Sequence, residues 1–216
     1  MSTLAELIDL AELDLRDTGN ANWSIEELTA YIQRALRSYN QVDPIRAVAE
    51  VELVAASREV SLATLPGLMQ LTDVWYPYDA DTYPPKRPRW ELLSEDTLYL
   101  LVEDAPRAGQ WARLFYTRGH TIDGLDGADA TTLDGSAEGL VVLGATAYAA
   151  LQYAQATINT VTVSGWTPRQ LQEWAAERMA SFREGLEAVR RRAILEADAR
   201  VSWRATTRQE GQGGTV

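Results

Sequence analysis

The chain has 216 residues, 46% of them hydrophobic and 24% charged, the balance of a globular protein that can bury its own core without a metal or disulfide staple. It contains no cysteine and one histidine, which excludes disulfides, thiolate metal sites, a cysteine nucleophile and a multi-histidine metal centre within one chain. Its formal net charge of −11 repels nucleic acid from most of the surface, whereas proteins that read nucleic-acid sequence are usually basic.

The first residues carry Glu6, Asp9, Glu12 and Asp14 and no continuous apolar run, so no secretory signal is expected and the protein is expected to stay in the cytoplasm or in an assembly made there. Leu4, Leu7, Ile8 and Leu15 recur at helical spacing and Asp17-Thr18-Gly19-Asn20 reads as a stop, which predicts a short amphipathic helix. Ser24 followed by Glu27 is a capping box. Leu28, Tyr31, Ile32, Ala35, Leu36 and Tyr39 then form the stripe of a second helix, closed by Asp43-Pro44.

From Ile45 to Thr121 the period falls to two. Strands are predicted at about Ala47 to Ala55, Arg58 to Leu62, Leu68 to Tyr76, Trp90 to Leu93, Thr97 to Val102 and Gln110 to Thr117, joined by tight turns into an antiparallel, meander-like sheet. The prolines of Tyr83-Pro84-Pro85-Lys86-Arg87-Pro88 predict an extended loop. A loop rich in Gly and Asp follows Gly119, and a helix is predicted from about Ala137 to about Asn159. No charged residue occurs between Gly139 and Pro168, yet Gln152, Gln155 and Asn159 interrupt the segment, so it reads as a buried helix and not a membrane span. Its many alanines leave room for close backbone approach. Thr167-Pro168 opens a last helix that runs to about Asp198, with Leu171, Trp174, Phe182, Leu186 and Val189 as its stripe and Arg178 on the same face, read as paired or snorkelling.

Residues 199–216 differ in character: three arginines against one glutamate give a net +2, which leaves −13 on the rest of the chain. Most aromatic residues fall in register with a strand or helix stripe and are expected in the core. Trp203 does not, standing between Arg200 and Arg204 beyond the last stripe, and an aromatic anchor flanked by arginines is what protein interfaces enrich.

Chemistry is hard to find. Neither a P-loop nor a dinucleotide fingerprint is present, and no serine has a plausible triad with His120, which reads as a structural or hydrogen-bonding residue. Asp123, Asp126 and Asp129 share a glycine-bent loop but lack the alternation and terminal glutamate of a calcium loop, so turn chemistry explains them. No catalytic, cofactor or metal residues are therefore assigned. A metal-dependent α+β hydrolase, the alternative of another class, needs a pocket where one of these aspartates meets His120.

The run from Trp23 to Tyr39 (WSIEELTAYIQRALRSY), the Leu65-Pro66-Gly67-Leu68 turn, the strand end Tyr116 to Ile122 with His120-Thr121, and Thr131-Thr132-Leu133 ahead of Leu143-Gly144-Ala145 resemble, in order and spacing, head-to-tail adaptor (connector) proteins of tailed bacteriophages. The resemblance covers roughly residues 5 to 200. It implies an α+β fold: a helical frame of two N-terminal and two long C-terminal helices (1–44 and 122–198), an inserted antiparallel β-sheet (45–121) facing outward or toward the tail, and an extended C-terminal arm (199–216). It implies a non-enzymatic protein of the virion neck, assembled in the host cytoplasm. Copies, typically twelve, form a homo-oligomeric ring beneath the portal protein and above a downstream tail or stopper protein. DNA passes through the channel without sequence-specific binding. On this resemblance Arg200, Trp203, Arg204 and Arg208 are the expected portal-binding residues, and the uncharged helix is expected to pack in the ring wall. A related stopper or tail-completion protein is the nearer alternative.

Overall fold

The computed structural model describes residues 2–19, 21–54, 57–82, 84–156 and 168–209, with side chains in the last segment over 169–196. Among these residues the chain forms an α+β arrangement of four helices and two three-stranded antiparallel sheets. It divides into two compact units, one made of Met1–Asp43 with His120–Val216, the other of Pro44–Gly119.

The helical unit begins with α1 (Leu4–Leu15), capped by Thr3, whose hydroxyl accepts from the Glu6 N–H while the Glu6 carboxylate accepts from the Thr3 N–H. Arg16 ends it in the left-handed region at φ 56°. Asp17 then organises the turn: its buried carboxylate accepts from the N–H groups of Ala21, Asn22 and Trp23 at 2.9–3.1 Å. The capping box read from Ser24 and Glu27 starts α2 (Ile25–Asn40), and the expected stripe Leu28 to Tyr39 is buried throughout.

Asp134 accepts from the Ala137 N–H at 2.8 Å and opens α3 (Gly135–Ala156), two residues ahead of the predicted start. The predicted end, Asn159, and the proposed N-cap Thr167 lie outside the described residues. Helix α4 begins at Pro168, as the sequence predicts, and its backbone continues to Gln209, past the predicted stop at Asp198. Residues 199–209 are therefore helical and not an extended arm. No proline interrupts them, and Gly211 is the first glycine after the core positions of α4.

The core of this unit is built around α3. Val141, Ala145, Ala147, Ala149 and Ala150 are buried, and α1, α2 and α4 all pack on the helix. Its freedom from charge is thus accounted for inside the subunit, which removes the reason for assigning it to a ring wall. A close approach is made at Gly144, where a Cβ would lie 2.6 Å and 2.7 Å from the Phe182 ring and 2.9 Å from the Ala35 Cβ.

In the β unit the strands are β1 (Ile45–Glu52), β2 (Glu59–Ser61), β3 (Leu68–Tyr78), β4 (Arg89–Ser94), β5 (Thr97–Leu101) and β6 (Trp111–Arg118), close to the predicted spans. They do not form one meander. One sheet has the order β1-β6-β3 and the other β2-β5-β4. The first and last strands of the segment pair in register from Ile45 opposite Arg118 to Glu52 opposite Trp111, which places β1 at the edge of one sheet, while β2 pairs with β5 in the other. Inward side chains of both sheets, among them Leu71, Val74 and Leu114 from one and Val60, Leu98 and Leu100 from the other, make a single core.

Gly144→Ala is expected to destabilise the protein. Overpacking costs about 1–3 kcal/mol against at most about 1 kcal/mol gained from helix propensity. The added methyl meets a ring with no room to turn and an Ala35 Cβ fixed to its own helix. Thermal unfolding should show a Tm lower than wild type, and an unchanged or higher Tm would contradict this packing.

Candidate functional site

His120 is the first residue of the helical unit after the β segment and is held by that unit's own backbone. Its N–H donates to Asn40 Oδ1 at 2.7 Å, Asn40 Nδ2 donates back to its carbonyl at 3.3 Å, and its ring nitrogens lie 3.0 Å from the Asp43 carbonyl and 3.2 Å from the Thr132 carbonyl. The ring meets Tyr39 edge-on at 5.4 Å. The residue ties the point where the chain leaves the helical unit to the point where it returns, and is structural, as the sequence predicts.

The three loop aspartates do not approach it. Asp123 uses its backbone, accepting from the Leu4 N–H and donating to Thr131 Oγ1, each at 2.9 Å. Asp126, at φ 54°, receives both hydrogen bonds from Gln33 Nε2, and Asp129 is exposed. Among the described residues no group of three His, Cys, Asp or Glu side chains converges to hold a metal, and no helix is long and apolar enough to cross a membrane. Among the described residues the metal-holding group that the hydrolase reading requires is not formed.

A cluster of titratable groups does gather beside His120. Tyr39 donates to Asp43 Oδ2 at 3.1 Å, and Arg192 of α4 approaches the same carboxylate at 3.6 Å. Burial, and then the negative charge and hydrogen bond of Asp43, push the Tyr39 phenol up to about 12. Asp134 is held below the ordinary carboxylate value, mainly by the hydrogen bond from the Ser136 hydroxyl.

A concavity of the helical unit, about 930 Å³, runs between α1, α3 and α4 and is lined by Leu10, Leu13, Val142, Leu143, Leu171 and Trp174, among others. Arg178 sits in its wall, its side chain 16% exposed, paired with Asp14 and donating to Thr146 Oγ1 at 2.8 Å. Thr146 in turn donates to Asp14 and to the Leu143 carbonyl, at 3.2 Å and 3.0 Å. Its guanidinium lies 5.2 Å from the Trp174 ring centroid. Desolvation lowers the Arg178 pKa from its ordinary value. The arginine is paired, as expected, and contributes no free charge to the groove. Leu10 and Leu13 on the rim are 48% and 66% exposed. Reading α1 by its core stripe alone misses this second face, though leucines on both sides of a short helix were a visible signal.

In the β unit the expectation that aromatic residues are core holds for Tyr76 and Tyr116 but fails for the outer face of the β1-β6-β3 sheet. There Arg113 lies 4.9 Å from the Tyr78 ring centroid and 5.8 Å from those of Trp75 and Phe115, while Arg87 covers Trp75 at 5.4 Å and pairs with Asp73 at 3.5 Å. Trp111, beside them on β6, is 43% exposed. The side chains of Arg200, Trp203, Arg204 and Arg208 lie outside the described residues, although the backbone that carries them is helical.

No family model matches the chain, and a search of curated proteins returns no significant match. Among solved structures it is similar to a chain of the neck of a native GTA particle, computed with C12 symmetry. Identity is 14%, coverage is 81% of this chain and 91% of that chain, and the TM-score is 0.27, too loose a likeness to transfer a role.

The folded chain holds the Tyr39 proton more tightly than the unfolded chain, whose phenol titrates at about 10. The stability that burial of the neutral phenol contributes is complete below pH 10 and is lost as pH rises through about 12. Equilibrium unfolding measured from pH 9 to pH 12 should show stability falling in that window. In Tyr39→Phe the fall should be shallower, with Tyr31 and Tyr76, also raised by burial, carrying the remainder. Identical slopes in the two proteins would contradict the assignment.

Proposed function

We propose that this chain is a structural, non-enzymatic head-to-tail adaptor of a tailed bacteriophage. It stands in a ring of copies, typically twelve, between the portal protein and a downstream tail or stopper protein, and leaves a channel for DNA. The observation that carries this reading is the ordered set of short motifs from Trp23 to Ala145, set on helices at both ends of the chain with a β-rich segment between them. The net charge supports it: few phosphate contacts mean little binding, which suits a conduit through which DNA must slide. The hydrolase reading loses support, because the His120 ring nitrogens lie against the Asp43 and Thr132 carbonyls, Asp126 is held by Gln33, and among the described residues no group of carboxylates and imidazole converges to hold a metal.

In this reading the C-terminal end of the chain docks into the portal. On a helix that runs to Gln209, Arg200, Trp203, Arg204 and Arg208 are spaced by three, one and four residues, which places their positions along one side. Among the described residues the last of α4 packed on the helical core are Leu186 and Val189.

Removal of residues 199–216 should leave thermal unfolding nearly unchanged and weaken attachment to purified portal; unaltered attachment would reject the docking role. Trp203→Ala should cost ~2 kcal/mol or more of binding, a drop of about 30-fold, if the indole is an interface anchor. A pull-down across graded salt separates the parts, since the arginine contribution weakens with ionic strength and the indole contribution does not.

A further inference from the structure

Within the helical unit two exposed apolar patches carry opposite charge patterns. On α1 the exposed charged and apolar residues run Glu6, Asp9, Leu10, Leu13, Asp14 and Arg16, and because Asp14 is already neutralised by Arg178 the open charges are acidic before the leucines and basic after them; the leucines form the rim of the groove whose other wall is Leu171 and Trp174 of α4. On α4 the order is Arg190, Arg191, Arg192, the pair Ile194 and Leu195, then Glu196, with Ile194 53% and Leu195 69% exposed. Acid, apolar, base on one helix faces base, apolar, acid on the other.

Both patches involve α4, but Trp174 and Ile194 are separated by about 30 Å at 1.5 Å per residue, so the ridge of a chain cannot reach its own groove. A second copy can. We infer that the ridge around Ile194 and Leu195 of one copy seats in the α1–α3–α4 groove of the next, with the two helices running in the same direction. In that orientation Arg190–Arg192 meet Glu6 and Asp9, and Glu196 meets Arg16. The antiparallel orientation opposes like charges at both ends. Arg190 lies 3.7 Å from the exposed Glu187 and Arg191 donates to the Glu187 carbonyl at 3.3 Å, while Arg192, itself half exposed, approaches Asp43 at 3.6 Å; solvent-exposed pairs of this kind contribute at most about 1 kcal/mol, so Arg190 and Arg191 can exchange partners. Because two different patches meet, the contact is heterologous and propagates from copy to copy, closing into a ring when the rotation allows. This inference rests on the proposed ring and names the surfaces that join it.

The absence of cysteine provides a clean test. Leu13→Cys and Leu195→Cys are made as separate proteins, each checked for wild-type circular dichroism and Tm. They are then treated with a short bis-maleimide, alone and mixed, in solution and with portal. Covalent dimers in the mixture and in neither single sample support the contact. Dimers formed by one variant alone overturn it, since the interface would then be isologous. If wild-type rings form by electron microscopy but the mixture gives no dimers, this contact is wrong and the ring stands. If wild type forms no ring, alone or on portal, and the mixture gives no dimers, both fall. Leu10→Cys with Ile194→Cys repeats the test through the neighbouring positions should either first variant fail to fold.

Discussion

The helical unit depends on one packing constraint, that three helices close on α3 at the same time. The faces of α3 that meet α1, α2 and α4 have no room for a charge, and the segment from Gly139 to Gln155 has none. At Gly144 even a methyl group is excluded, because the Phe182 ring of α4 and the Ala35 Cβ of α2 already occupy the space. Arg178 enters from α4 at the margin of this packing, and its cost is met by Asp14 of α1 and the Thr146 hydroxyl of α3. Three helices thus meet in one polar contact at the edge of an otherwise apolar junction, and that contact fixes the wall of the groove.

A second requirement follows from the chain order, since a unit built from both ends of the sequence must survive the departure of 76 residues between Asp43 and His120. The cost of closing so long a loop grows only slowly with its length. What must be specified is the pair of ends, and here they are fastened reciprocally: Asn40 and His120 exchange hydrogen bonds, and the imidazole reaches the Asp43 carbonyl. The β segment fastens itself the same way, by pairing β1 with β6 from Ile45 opposite Arg118 onward. Each side of the junction therefore closes on its own hydrogen bonds.

Local signals were legible in the sequence because their physics is local. The Ser24–Glu27 box, the period change near Ile45 and Pro168 as the start of α4 each need only neighbours within a turn or a face. The pairing of Arg178 was legible from the cost of an unpaired guanidinium on an apolar stripe, and not from its partners, which lie on α1 and α3. Partner choice was not legible. Alternation announces a strand but does not say which strand it joins, so two sheets were read as one meander. The uncharged helix shows the same gap, since burial in a subunit and burial between subunits require the same composition, and only the packing of α1, α2 and α4 separates them. Leu10 and Leu13 fall outside the stripe of Leu4, Leu7, Ile8 and Leu15, and periodicity does not tell whether a leucine off the stripe covers a neighbouring element or faces solvent.

Those remaining leucines bear on function more than the core does. Scattered exposed apolar residues are ordinary on any protein surface. In the helical unit, however, they occur as pairs on the rim of a groove and on a ridge of the same helix that lines it, each bracketed by charges of opposite sign. The inner faces of α1 and α4 are fully used in the fold, so whatever these helices do beyond folding has to be done by their outer faces. Their charges run in opposite order along the two helices, and it is this order, more than the exposed leucines themselves, that distinguishes the pairs from ordinary surface scatter.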